Sequence, residues 1–145
     1  IFKEKNFIVL SASFKLEKGN KKEIQAAARD HIRYRKERHP LEYPNAGSIF
    51  KNCDLAKVPK ALRKEMQDVI KVDPFPVIPT AALIARAKLQ GLRVGDVQVS
   101  EKHPNYMVNL GNARTKDVLR LIANVKKRIK KKFGVDLEEE ISFPH

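Results

Sequence analysis

The sequence predicts an α+β domain in which a mixed sheet packs against helices. Three observations lead to this class. Short runs alternate between apolar and polar residues, longer runs repeat apolar residues at helical spacing, and the two kinds do not follow one another in strict βαβ order. With 145 residues and 42% hydrophobic content, the chain is long enough to bury one core.

A strand and a helix are predicted in the N-terminal part. Residues 7–16 alternate, and their apolar face consists of Ile8, Leu10, Ala12, Phe14 and Leu16. After the turn "EKGN", Asn20 and Glu23 have the spacing of a capping box. The inward face of the helix that follows is predicted to consist of Ile24, Ala27, Ala28, His31 and Ile32. We expect this helix to end near Arg38, because Pro40 disfavours its continuation.

Two helices and a proline-rich loop are predicted in the middle of the chain. The first helix runs from Pro59 to about Lys71, and its inward residues are Leu62, Met66, Val69 and Ile70. The run "VDPFPVIP" predicts a loop. "TAALIARAKLQG" predicts the second helix, which Gly91 ends in the left-handed conformation.

The C-terminal part predicts two strand regions, a long helix and an extended end. "LRVGDVQVS" and "NYMVNLGN" are strand-like and are separated by "EKHP". Thr115 is the predicted cap of a helix that Gly134 ends, with an inner face of Val118, Leu121, Ile122, Val125, Ile129 and Phe133. In the last segment, alternation places Leu137, Glu139 and Ile141 on one face and Glu138 and Glu140 on the other.

Composition narrows the possible functions. The net charge of +13 favours anionic partners, which include nucleic acid, phosphorylated small molecules and acidic membrane surfaces. The densest basic run, "KKRIKKK" at residues 126–132, falls on the polar face of the last helix, where solvation is its ordinary role. The single cysteine excludes a disulfide framework within the chain and a multi-cysteine zinc site. The apolar runs, such as residues 7–10 and 81–85, are far too short to span a bilayer.

The run "HPLEYPNAGSIFKNC" contains the first candidate site residues. Ser48 follows a tight turn and precedes a short strand, so it is either a structural turn residue or a hydroxyl held rigidly for chemistry. A serine hydroxyl is a very poor acid, and it can donate a proton only to a strongly basic centre such as a carbanion or enolate. Strand alternation would place Asn52 on the same side as Ser48, as anion or amide recognition requires.

Two further polar clusters have ordinary structural interpretations beside functional ones. His103 lies in a polar loop between two strands and has no second histidine or cysteine at metal-ligand spacing, so we predict no metal site. The carboxylates at residues 138–140 are either solvated or, if one turns inward, paired with a cation or used in chemistry.

The whole chain resembles one family. "HPLEYPNAGSIFKN" is similar to the catalytic-serine motif of UDP-N-acetylenolpyruvoylglucosamine reductase (UDP-N-acetylmuramate dehydrogenase), and the similarity continues through "LIARAKLQGLRVGDVQVSEKHPNYMVNLGNARTKDVLRLI" to "FGVDLEEEI". The resemblance implies the C-terminal substrate-binding domain of a cytoplasmic, bacterial enzyme of peptidoglycan synthesis. In that family, NADPH reduces FAD, and the reduced flavin gives hydride to the enolpyruvyl group of UDP-N-acetylglucosamine enolpyruvate.

The resemblance also implies roles for individual residues. Ser48 matches the serine that protonates the substrate carbon. Glu140 matches the active-site glutamate, which helps to stabilise the enolate-like intermediate together with an active-site arginine of the family that is expected about three residues before Ile1. Asn52 matches a substrate-contacting asparagine, and His103 falls where some members have a substrate-binding glutamine. The diphosphate would be bound by Lys36, with Arg38 or Arg35 as alternatives in the same basic cluster.

The resemblance further implies a division of the chain and of the cofactors. Residues 1–18 are expected to connect from an FAD-binding region that precedes Ile1, and residues 19–145 to form the substrate domain. FAD would be bound mainly by that preceding region, with NADPH as reductant, so the fragment alone is expected to be inactive. A basic nucleic-acid-binding module and a non-catalytic paralogue are the alternative functions; we expect neither nucleic acid nor membrane as a partner.

Four departures from the family pattern are visible. Cys53 stands where proline commonly follows the asparagine, Asp96 replaces a glycine, and Glu139 replaces a proline of the C-terminal motif. Residues 54–78 are longer and richer in lysine than the usual connection. None of these changes removes a matched catalytic group, but Asp96 would alter the local packing expected for the flavin or the substrate.

Overall fold

The structure is a computed structural model that describes residues 8–143. The chain divides into two compact units, one ending at Arg33 and the other beginning at Tyr34. This division lies inside the first helix, and not at residues 18 and 19, where the substrate domain is predicted to begin. The prediction that residues 1–18 connect this domain to an FAD-binding region stays a prediction.

The first unit contains one helix and an irregular segment. Residues 8–20 form neither helix nor strand, so the strand predicted over residues 7–16 is wrong for the described part; Phe7 lies outside it. Alternation alone does not make a strand, because the backbone also needs a partner for its hydrogen bonds. Helix α1, Lys21–Arg38, agrees with the prediction, and the Asn20 side chain accepts a hydrogen bond from the Lys22 N–H at 2.9 Å.

The predicted inward face of α1 is not buried in the structure. None of the helix's residues is buried, and the side chains of Ile24 and Ile32 are 58% and 55% exposed. The apolar spacing therefore forms the helix without a partner surface among the described residues.

The second unit combines small antiparallel sheets with three further helices. In chain order its strands are β1 Asn45–Ser48, β2 Cys53–Asp54, β3 Val77–Ile78, β4 Arg93–Val94, β5 Val97–Val99 and β6 Tyr106–Asn109. Its helices are α2 Lys60–Glu65, α3 Thr80–Arg86 and α4 Thr115–Phe133. One sheet has the order β1-β6-β5-β4, and β2 pairs with β3 in the other. The predicted α+β class is confirmed, but every strand pair in the described residues is antiparallel, so the sheets are not mixed as predicted.

Helix α4 provides the longest buried face of the core. Its buried residues are Leu121, Ile122, Val125, Ile129 and Phe133, and Val118 packs against them while partly buried, as predicted. Gly134 ends the helix in the left-handed conformation, with φ at 70°. Thr115 is the first helical residue rather than the cap, since Arg114 holds the cap position without a side-chain hydrogen bond.

Three other predicted elements change in detail. The helix predicted from Pro59 divides into α2 and a 3₁₀ turn at Gln67–Val69, with Leu62 and Met66 buried. Helix α3 stops at Arg86 and is followed by Lys88 with φ at 56°. Gly91 is left-handed as predicted, with φ at 76°, but it lies in the turn beyond the helix and does not end it. The proline-rich loop contains β3, whose two residues are buried.

The basic run of α4 is partly engaged in contacts within the chain. Lys126 pairs with Glu139 at 2.8 Å, Lys130 pairs with Asp136, and the Lys132 amine donates to the Arg86 carbonyl. Within residues 8–143, none of the helices has the length and apolar content needed to cross a membrane.

Candidate functional site

The turn before Ser48 is organised by the Asn45 side chain. Its Nδ2 donates to the carbonyls of Pro40 and Tyr43 at 3.1 and 2.9 Å, and its Oδ1 accepts from the Gly47 N–H at 3.1 Å. Gly47 has φ at 77°, a left-handed conformation that favours glycine. The residues before Ser48 are therefore fixed by short-range hydrogen bonds, as a rigidly held hydroxyl requires.

Ser48 ends β1, is half-buried and lies opposite Tyr106 of β6. The strand therefore ends at Ser48, and the short strand predicted after it is wrong, because only Phe50 forms an isolated bridge there, with Glu139. After Ser48 the chain leaves this ladder, and Asn105 takes over its support. The Ile49 N–H donates to the Asn105 carbonyl, and the buried Asn105 carboxamide both accepts from the Phe50 N–H at 3.1 Å and donates to the Phe50 carbonyl at 2.8 Å. The carboxamide thus pairs with Phe50 as the peptide of a neighbouring strand would.

The other side of this segment pairs with the C-terminal acidic residues. The Glu140 N–H donates to the Ile49 carbonyl at 2.8 Å, and the Lys51 N–H donates to the Glu138 carbonyl at 2.9 Å. The predicted alternation of the acidic segment is confirmed, because Glu138 and Glu140 are exposed and Glu139 is half-buried. Glu140 is consequently held beside the residue that follows Ser48.

Asn52 and Glu140 line the same cavity, which has a volume of about 490 Å³. Asn52 is held there by the start of α3: its Oδ1 accepts from the Thr80 N–H at 3.3 Å, while the Thr80 hydroxyl donates to the Lys51 carbonyl at 2.6 Å. With Oδ1 occupied, the amide NH₂ of Asn52 remains a donor for a bound group. Lys71 also lines this cavity.

His103 belongs to a cluster of three rings beside Ser48's partner strand. Its ring stacks on His39 with centroids 5.3 Å apart, and it meets the Tyr106 ring edge-on at 4.5 Å. The Nδ1 atoms of both histidines are buried without a hydrogen-bond partner among the described residues. Burial and the neighbouring His39 lower the pKa of His103, so its neutral form is favoured.

The remaining predicted site residues lie outside this cavity. Lys36 and Arg38 are exposed on the last turn of α1, where the Arg38 guanidinium lies 4.6 Å from the centre of the Tyr34 ring. The residues that line the cavity include Asn52 and Glu140 but not Ser48, His103, Lys36 or Arg38. The roles of all six residues stay predictions.

Comparisons with known proteins identify similar proteins. The profile of the family described as "UDP-N-acetylenolpyruvoylglucosamine reductase, C-terminal domain" matches residues 39–144. The crystal structure of UDP-N-acetylenolpyruvylglucosamine reductase from Thermus caldophilus is similar with a TM-score of 0.55 and 32% identity, over 87% of this chain and 37% of that one.

The chain belongs to this reductase family, as its C-terminal domain.

Two curated reductases of the family are similar over almost the whole chain. The protein from Fervidobacterium nodosum is 39% identical over 142 residues, which are 97% of this chain and 39% of that protein. The protein from Lachnoclostridium phytofermentans is 38% identical over 141 residues, 97% of this chain and 38% of that protein. The chain therefore spans about two fifths of the length of these reductases.

The cavity does not fit the flavin dinucleotide that the reductase resemblance implies. Its lining comes from Lys51, Asn52, Glu140 and the loop between Lys71 and Val77, and contains neither a glycine nor a helix N-terminus. Those are the groups that commonly hold dinucleotide phosphates. None of these residues is assigned to FAD. No group of three or more metal-ligating side chains occurs in the described part of the chain.

Three of the four expected departures from the reductase pattern form local contacts in the structure. Asp96 accepts from the Asn112 N–H and from Arg93, contacts that lower the pKa of its carboxyl. Burial raises the pKa of the Cys53 thiol, which lies 3.5 Å from the Thr80 hydroxyl. Glu139, in place of the family's proline, pairs with Lys126.

Three residues that support the site were not among the sequence candidates. Asn105 holds Phe50, Thr80 holds Asn52, and Lys71 lies in the cavity. The signals that could have found them are weak: Asn105 is a polar residue at a strand entrance, and Thr80 directly follows a proline at a predicted helix start.

Proposed function

We propose that this chain is the substrate-binding and proton-donating domain of an enzyme that reduces UDP-N-acetylglucosamine enolpyruvate to UDP-N-acetylmuramate in peptidoglycan synthesis. The observation that carries the proposal is the pairing of Ile49 with Glu140, which joins the segment after Ser48 to the matched glutamate. Membership of the reductase family supports it as well. The reaction is placed in the cytoplasm as part of the same proposal.

Ser48 is assigned as the proton donor to the substrate carbon next to the carboxylate. A hydroxyl can serve this purpose because the acceptor is carbanion-like at the moment of transfer. Its reach is short, so the donor must be held in place, and the Asn45 turn on one side and Asn105 on the other provide that rigidity.

Asn52 and Glu140 are assigned to substrate recognition and to the intermediate. The free amide donor of Asn52 suits an oxygen of the sugar or diphosphate, and Glu140 is placed at the enolpyruvyl end, where it helps to stabilise the enolate-like intermediate. Lys36 and Arg38 are assigned to the diphosphate and His103 to a further substrate contact. FAD and NADPH are assigned to the part of the whole enzyme that this chain does not span.

Binding by this chain is the first test. In isothermal titration calorimetry, UDP-N-acetylglucosamine enolpyruvate should bind the chain, and Asn52→Ala should weaken binding about tenfold, the value of one good hydrogen bond. Ser48→Ala should bind almost as the unsubstituted chain does. A chain that binds single-stranded RNA in a salt-sensitive manner and no UDP-sugar would favour the nucleic-acid alternative instead.

Turnover by the protein encoded by the complete reading frame is the second test. NADPH oxidation and UDP-N-acetylmuramate formation should both be present, and Ser48→Ala should abolish product formation while NADPH still reduces the flavin. Equal loss of both half-reactions would contradict the role of Ser48. A complete protein that binds substrate without turnover would identify the non-catalytic paralogue.

A further inference from the structure

Lys71 occupies a fixed backbone position at the edge of the cavity. Its N–H donates to the Val77 carbonyl at 3.0 Å, and the Val77 N–H donates back to the Lys71 carbonyl at 2.8 Å. These two bonds close the loop of residues 72–76 and join it to buried β3. The side chain of Lys71 therefore starts from a rigid base although the residue itself is exposed.

Two lysines line the cavity, and the amine of Lys71 forms no ion pair with a carboxylate of the described residues. The second lysine of the lining, Lys51, forms an ion pair with Glu138 at 3.3 Å. No ion pair within residues 8–143 joins Lys71 to a carboxylate, although Asp73 and Glu140 line the same cavity. An unpaired cation in a concave site with a free amide donor is suited to an anionic group.

The charge of Lys71 also affects His103, which lies outside this cavity. It is one of the causes, after burial and His39, that lower the pKa of His103. Lys71 lines the cavity of Asn52 and Glu140, which the ring cluster of His103 does not line.

We propose that Lys71 binds an oxyanion of the substrate at this cavity. The inference rests on the proposed function, whose substrate has two anionic groups, the enolpyruvyl carboxylate and the nucleotide diphosphate. Both present oxygens that an ammonium group recognises as a point charge. Lys71 is a binding residue in this assignment, beside the residues matched by the family motifs.

The test compares the substitutions Lys71→Gln and Lys71→Arg with a matched control. Calorimetric titration of the chain with UDP-N-acetylglucosamine enolpyruvate should show binding about tenfold to a hundredfold weaker for Lys71→Gln, as expected for a charged hydrogen bond. Lys71→Arg should recover most of the loss, because it restores the charge. Lys64→Gln removes an exposed lysine of α2 outside the cavity, and should leave the affinity unchanged.

A second ligand distinguishes the two sources of the oxyanion. UDP-N-acetylglucosamine has the diphosphate but no carboxylate. Equal weakening of both ligands by Lys71→Gln assigns the lysine to the diphosphate, and weakening of the enolpyruvyl ligand alone assigns it to the carboxylate. Raising the salt concentration should reduce the difference between the unsubstituted chain and Lys71→Gln.

The outcomes separate this inference from the proposed function. If the unsubstituted chain binds both ligands and Lys71→Gln binds them equally well, the inference is wrong and the function stands. Equal losses of affinity in Lys71→Gln and Lys64→Gln would show an effect of net charge alone and would also overturn the inference. If the unsubstituted chain binds neither ligand, the proposed function fails, and the inference with it. Unchanged urea midpoints for Lys71→Gln, Lys71→Arg and Lys64→Gln establish that folding is intact.

Discussion

Replacement of Asn105 by alanine tests the support of the Ser48–Asn52 segment. The Asn105 side chain is buried, with 4% of its surface exposed, and it forms two hydrogen bonds with the backbone of Phe50. Phe50 is itself 1% exposed, so water has little access to the groups that the substitution would release. Asn105→Ala therefore leaves one N–H and one carbonyl without partners in the core.

The expected cost follows from those two groups. An unpaired buried polar group costs about 1–3 kcal/mol, and partial relaxation of the loop brings the sum to about 2–4 kcal/mol of unfolding free energy. For a domain of this size, about 3 °C of melting temperature is lost per kcal/mol, so the midpoint should fall by about 6–12 °C. Urea unfolding monitored by circular dichroism measures the free energy, and its m-value should stay constant because the buried surface is almost the same.

The matched control is Asn124→Ala. Asn124 is exposed on α4, where alanine favours the helix, so its effect should stay within about 0.5 kcal/mol. A loss below about 0.5 kcal/mol for Asn105→Ala would refute the structural role of its carboxamide. If stability falls as expected, substrate affinity should fall further than in Asn124→Ala, since the segment between Ser48 and Asn52 is loosened.

Three further predictions concern the pH dependence of stability, the C-terminal end of α4, and the difference between a buried and an exposed isoleucine. The pKa of His103 is lowered from its ordinary 6.5 in the folded state, so the unfolded chain binds more protons at this residue and stability should fall as the pH drops through 6.5. Urea unfolding at pH 8 and pH 5.5 measures this dependence, and His103→Gln should reduce it. Gly134→Ala should cost about 1 kcal/mol through its φ of 70°, and a neutral effect in the same assay would contradict the left-handed cap. Ile129→Ala, at a fully buried position, should cost about 2–5 kcal/mol, whereas Ile32→Ala, at an exposed position, should change stability by less than about 0.5 kcal/mol; similar losses would mean that α1 is covered.

Local periodicity predicted α4 well because the information lies within the helix. The spacing of Leu121, Val125 and Ile129 defines one face, and the core covers that face. In α1 the same kind of spacing formed a helix, but its predicted inner residues are exposed. Whether a face is buried depends on a distant partner surface, and periodicity has no information about that partner.

The same limit explains the predicted strand that the structure does not form. Residues 8–16 alternate correctly, yet a strand exists only where another chain segment accepts and donates hydrogen bonds. The segment after Ser48, where the sequence predicts a short strand, pairs with the acidic segment only through Lys51 with Glu138 and through Ile49 with Glu140, and Phe50 forms a single β-bridge there. Pairing partners far apart in the chain decided both cases.

The sequence motifs named candidate site residues but did not indicate which other residues support them. The family motifs suggested Ser48, Asn52 and Glu140, and the structure holds Glu140 against the residue after Ser48. Asn105 and Thr80 act through contacts with residues 55 and 28 positions away, and a turn or capping rule does not extend over that distance. Lys71 was overlooked because an exposed lysine in a lysine-rich stretch has no distinguishing pattern.

The pairing of Lys51 with Glu138 has a consequence for the order of events during synthesis. The two residues are separated by 87 positions, and the acidic segment is made long after the serine segment. At roughly 5–20 residues per second, the ribosome needs about 4–17 s to cover that distance. During this interval the backbone of residues 49–51 has an open edge, which is the kind of edge that other chains can occupy. Nascent chains halted before Glu138 should therefore need a chaperone more than the released protein does.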